Sequence, residues 1–213
     1  MENIDFDDVL RMSLVYMHLI SMCLAAAAVA FGDFAIFSKP GRINAFMLEK
    51  SAHYVSTTLV ALWISGLLIT WVDTRFDLAL LAAKPKLLAK LCVVMVLTLN
   101  GWALHRLVFP RLAKPQRNPK QAATLPAVLG AVSGTTWMFA AFVGVGKPLA
   151  SALGYAGFMG LYGLALALGV GFALTFVRPR LAQQMSGHFP LSSSLHTASV
   201  SSAHHAVDLR TAS

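Results

Sequence analysis

From Leu87 to Leu104 the chain reads LLAKLCVVMVLTLNGWAL, an apolar run about as long as a bilayer core is thick at a helical rise of ~1.5 Å per residue. Four further runs of this kind, at 13–32, 52–72, 125–145 and 150–177, accompany the 87–106 span. In hydrocarbon only a helix or a closed barrel satisfies every backbone N–H and C=O, and uninterrupted runs of this length belong to helices. The expected fold is therefore all-α, a polytopic bundle of five transmembrane helices. Composition agrees: 57% of residues are hydrophobic and 12% charged, with mean hydropathy +0.66, where a soluble domain carries about 25% charged residues.

The formal charge of +8 does not indicate nucleic acid, because Lys and Arg gather in the short breaks between apolar runs and form no basic soluble domain. Arg11, Arg75, Lys84, Lys86 and Lys147 fall on the side of the N-terminus. Lys39, Arg42, Lys50, Arg106, Arg111, Lys114, Arg117, Lys120, Arg178 and Arg180 fall on the other. That imbalance predicts an external N-terminus and a cytoplasmic C-terminus, in a bacterial-type inner membrane. The acidic leader 1–12 lacks the basic start of a cleaved signal peptide, so span one is expected to be retained. Lys39-Pro40-Gly41-Arg42 marks a turn, and residues 76–83 a short interfacial turn. The Ser- and His-rich segment 178–213 is expected to be a disordered tail, and no internal repeat is legible. Cys23 and Cys92 are the only cysteines, each inside an apolar run, which excludes a disulfide framework.

An ionisable group near the middle of a bilayer costs about 2.5–3.5 kcal/mol even on the insertion scale, so those present are candidates for function. His18 lies one turn inside span one and Lys90 one turn inside span three, at the outer level. His53 and His105 close their spans at the inner level, some ~20 Å away by helical rise. Imidazoles on facing helices at equal depth suit the axial ligation of haem b, with a cation such as Lys90 to pair with a propionate. Met17, His18, Met22 and Cys23 offer an alternative set of soft ligands for Cu(I), with His18 and Met22 sharing a face at i, i+4. Asn100 reads as interhelical glue, and the alanine run of span one and Gly154, Gly157, Gly160 and Gly163 of span five as surfaces for close helix approach. Each of these groups also has a structural reading: a snorkelling lysine, interfacial histidines, packing glycines. The scattered tail histidines His188, His196, His204 and His205 offer at most an adventitious metal site.

MHLI at 17–20, LEK-SAH at 48–53 and KLLAKL…LTLNGW across span three resemble the superfamily of small membrane proteins that contains copper-resistance protein D and the haem-binding membrane protoporphyrinogen oxidase. The likeness runs over residues 12–110. In the oxidase branch a histidine on the first span and a lysine entering the third are tied to haem, which implies that role for His18 and Lys90, with Glu49 near that branch's acidic residue. The chain departs from the branch in reading AVAFGDFAIF after span one, in placing Asn100-Gly101 where a histidine is usual, and in having five spans where the oxidase has four. The resemblance thus implies a haem b protein with a redox role and an electron-transfer partner in the membrane. A copper transport or resistance protein, and a cofactor-free accessory or scaffold subunit, are the alternatives.

Overall fold

The computed structural model describes residues 6–37, 44–112, 118–146 and 148–186. Lys39–Arg42, Lys114, Arg117, Lys147 and the tail histidines lie outside the described residues. The described residues form helices and no strand. These are α1 (Phe6–Phe37), α2 (Ala45–Thr74), a short α3 (Leu78–Ala82), α4 (Pro85–Leu112), α5 (Pro119–Val145) and α6, which starts at Ala150 and runs to Ser186. All but α3 are long and apolar enough to cross a membrane, and the chain is a multi-pass membrane protein.

Helix ends follow local chemistry. Asp7 and Asp8 stand in the first turn of α1, where carboxylates complement the helix dipole. Asn44 caps α2, its side chain accepting from Met47 N at 3.0 Å. At its far end α2 stops in a left-handed turn, with Arg75 at φ 49° and Phe76 at φ 59°. Asp77 then caps α3, accepting from Ala79 N at 2.8 Å. The short α3 thus falls inside the expected interfacial turn, and Phe76, Leu78 and Leu80 remain exposed around it. Every long helix passes the sequence-derived span limits at one end or both, because length in lipid sets a minimum rather than a stop. The largest extension is in α6, which stays helical through Arg178–Ser186 and buries Leu181, Ala182 and Met185 there.

Packing divides the bundle in two. Along α1, Ser21, Ala25, Ala28, Gly32 and Ala35 are buried at alternating spacings of four and three, a stripe of small side chains lying against α2. Ser51 Oγ donates across this interface to Ala28 O, and a Cβ on Gly32 would stand 2.7 Å from Ser51 Oγ. The helices α4, α5 and α6 form the second group, with Ala89, Val93, Phe139, Val143, Phe158 and Tyr162 buried among them. The groups meet at the end where α1 finishes, in a cluster that joins Ala35 and Leu48 to Val108, Leu112, Ala123, Leu181 and Met185. Elsewhere the main chains of α2 and α4 scarcely approach each other, and side chains span the seam. Trp63 Nε1 donates to Thr98 Oγ1 at 2.9 Å, and Ser56 Oγ meets His105 Nε2 at 3.0 Å.

A short sequence motif recurs where the structure has two π turns. Both α4 and α6 widen into a π turn, at Leu104–Val108 and Ala173–Val177. Each π turn ends in the same motif, Val108-Phe109-Pro110-Arg111-Leu112-Ala113 and Val177-Arg178-Pro179-Arg180-Leu181-Ala182. A proline lacks the N–H for the preceding turn and crowds its carbonyl. An extra residue in that turn relieves the clash without ending the helix. The motif is short, which hides it from a scan for apolar periodicity.

The glycine stripe of α6 also differs from expectation. Gly160 and Gly163 face open space, and Gly154 at φ 56° interrupts the helix. Close approach on α6 occurs instead at Gly169, where a Cβ would collide with Thr135 Oγ1 of α5. Asn100 acts as expected: its Nδ2 donates to Leu129 O of α5 at 3.0 Å.

Candidate functional site

His18 projects from α1 toward α2 and is half-buried. Its Nδ1 lies 2.8 Å from Ser65 Oγ. Ser65 is buried, and its hydroxyl donates to Ala61 O at 2.7 Å, one turn earlier on α2. With its single proton committed to that carbonyl, Ser65 Oγ is left to accept, so the proton of neutral His18 resides on Nδ1. Nε2 then carries the free lone pair, the state in which imidazole ligates a metal. No hydrogen bond reaches Nε2 among the described residues. Gly66 follows Ser65 at the ring's edge: a Cβ there would lie 3.6 Å from His18 Cε1, so a larger side chain would crowd the imidazole.

Lys90 enters the same region from α4. It is half-buried. Among the described residues no hydrogen bond or ion pair engages its ammonium. Lys86, one turn earlier, is differently placed: its Nζ donates to Gly144 O at 3.1 Å, near the end of α5, where a cation offsets the helix dipole. The structure therefore joins an imidazole with one open nitrogen to a serine that orients it, and sets an ammonium on α4 near the same end of the bundle. They come from three helices and lie along the part of the seam where the two packing groups diverge.

The inner pair is arranged otherwise. His105 bonds to Ser56 rather than facing His53, and its ring packs edge-on to Phe109 at 5.0 Å between centroids. His53 is exposed, and its ring contact is with its neighbour Tyr54. The two histidines share one end of the bundle, but no ring contact joins them among the described residues. Because His105 reaches Ser56, the two imidazole levels are separated along α2 by the rise from Ser56 to Ser65, about 14 Å, less than the span ends suggest. Ser56 Oγ also donates to its own helix, at Ala52 O (3.0 Å), so it orients His105 as Ser65 orients His18.

Of the soft-ligand set, Met17 and Cys23 are exposed on the lipid side of α1 and only Met22 lies half-buried near the His18 face. Among the described residues no three His, Cys, Asp or Glu side chains gather as a metal cage. Ser56, Ser65 and Gly66 escaped the sequence reading. Their signal was present as polar and small residues inside the apolar run of α2, but such residues are common helix glue and nothing local ties them to a histidine far away in sequence. No protein-family model, no curated protein and no solved structure matches this chain.

Proposed function

We propose that this protein binds haem b at His18 and serves a redox role in a bacterial-type inner membrane. The observation that carries the reading is the Ser65–His18 bond, which leaves Nε2 available in an apolar, half-buried setting. The residues suit the group. His18 would supply an imidazole nitrogen to hold the group, Ser65 would hold the ring and its tautomer, and Lys90 would offer a cation to a carboxylate of the ligand. The main chains of α2 and α4 scarcely approach each other along the seam, which leaves side chains to fill the space between them. Haem, when bound, would supply one-electron transfer. The protein's own groups would bind it, orient it and keep it in a low-dielectric surrounding that excludes water. The sequence likeness of His18 and Lys90 to the haem-linked positions of the oxidase branch points the same way.

The test is a spectrum. The full chain, produced with ample haem and extracted in mild detergent, should carry an intense Soret band. His18→Ala should abolish or shift it. Lys90→Met should weaken retention more than it alters band positions. His105→Ala should leave the His18-dependent band in place. Protein that takes up copper and no haem, and loses the copper on Met22→Leu, would replace this reading with copper handling. Protein that takes up neither would leave a cofactor-free subunit.

A further inference from the structure

The two ends of the bundle treat charge differently. Where α1 begins, basic residues are met by acids: Arg11 pairs with Asp73 at 2.8 Å, and Arg75 with Asp7 at 3.3 Å while lying 4.5 Å from the Trp71 ring centre. Lys84 donates to Asp73 O at 3.1 Å, and Asp8 and Asp77 add further negative charge there. At the opposite end the described residues set Lys50, Arg106, Arg111, Lys120, Arg178 and Arg180 against only Asp33 and Glu49. No ion pair joins Arg106 or Arg180 to an acid among the described residues.

The repeated segment concentrates this charge. Leu112 and Leu181 are buried in one cluster, so Arg111 and Arg180, each one residue earlier, lie around the same apolar patch. Arg178 belongs to that rim, its Nε donating to Lys120 O at 3.3 Å. Arg106 lies on the π turn of α4, 6.0 Å from the ring centre of Trp102. Trp102 and the stacked Phe172 and Phe176 are exposed near this end, as aromatics are where acyl chains meet headgroups. A cationic rim above lipid-facing aromatics presents guanidinium forks to phosphate and apolar rings to the chain below it.

We propose that this end of the bundle is a binding site for an acidic phospholipid, whose phosphodiester is drawn to the cationic rim that carries Arg106 and Arg180. An acidic lipid fits because basic residues outnumber acidic ones on this rim beside the bilayer surface, whereas a zwitterionic headgroup brings no net charge to it. The site does not depend on haem.

Native mass spectrometry of the full chain in detergent, titrated with phosphatidylglycerol or phosphatidylcholine, resolves each bound lipid. The first phosphatidylglycerol should bind more tightly than phosphatidylcholine. Arg106→Gln and Arg180→Gln should each weaken it about fivefold, the effect of one basic residue near an anionic surface. Arg106→Lys and Arg180→Lys should keep most of the affinity, and Lys84→Gln, at the other end, should change nothing. With the unaltered protein, raising ammonium acetate from about 0.1 to 1 M shortens the screening length from about 10 to 3 Å and should weaken phosphatidylglycerol selectively. Equal affinity for the two lipids would overturn the proposal, as would binding indifferent to salt. Displacement of the lipid by inorganic phosphate would make this a free-anion site and overturn it as well.

Discussion

At the scale of single residues, the serines of α2 do more than pack. A serine in a transmembrane helix can place its proton on its own helix one turn back, as Ser65 does at Ala61 O and Ser56 does at Ala52 O. The oxygen that remains is an acceptor of fixed direction, and each one meets an imidazole from a neighbouring helix. Ser65→Ala should therefore free the His18 ring to rotate and to exchange tautomers while leaving its volume in place. Loss of such an orienting partner typically lowers metal affinity 10–100-fold. The measurement is haem retention during dilution. Ser65→Thr, which keeps the hydroxyl, should restore retention, whereas a merely structural serine would show no such split. Lys90 and His18 stand out in the sequence because charge and imidazole are rare in apolar runs. Ser65 and Gly66 do not, because their meaning comes from a partner that only the tertiary arrangement supplies.

At the scale of elements, glycine content proved a poor guide to where helices touch. The four glycines of α6 spaced three apart look like an interface, yet Gly160 and Gly163 are open to the lipid side, while Gly32 on α1 and Gly169 on α6 sit against Ser51 and Thr135. What distinguishes Gly32 is its company: Ser21, Ala25, Ala28 and Ala35 continue the same stripe, so a whole face of α1 is small. Gly32→Leu should drive α1 off α2, an overpacking cost of about 1–3 kcal/mol. Gly160→Leu should stay within about 0.5 kcal/mol of the unaltered protein. Unfolding in mixed micelles monitored by circular dichroism would check the pair, and equal effects would contradict the packing described. Apolar length made the existence of all five spans legible. The π turns, the kink at Gly154 and the helical stretch beyond Val177 were not, because each depends on a proline or glycine acting inside a helix that tertiary packing sustains.

At the scale of the whole molecule, charge and shape agree on an asymmetry between the two ends. The balanced end carries the ion pairs of α1 with the close of α2, and the basic end carries the repeated Pro-Arg-Leu segments. The positive-inside rule predicts a cytoplasmic basic end. A reporter fused after Ser213 should then read as cytoplasmic and one fused after Thr74 as external; the reverse pattern would invert the bundle without altering its internal geometry. That geometry has a consequence for biogenesis. The hairpin of α1 and α2 carries its own interface and already contains the His18–Ser65 pair, so a nascent chain that has delivered only these two helices to the bilayer holds an oriented imidazole. Lys90 arrives with α4, and the cluster that joins the two groups is completed by Leu181 and Met185 near the end of α6. Before α6 arrives the two groups lack its share of that cluster and are held by side-chain bonds such as Trp63–Thr98 and Ser56–His105, so the hairpin and the later helices should settle against each other last at the Leu181 end.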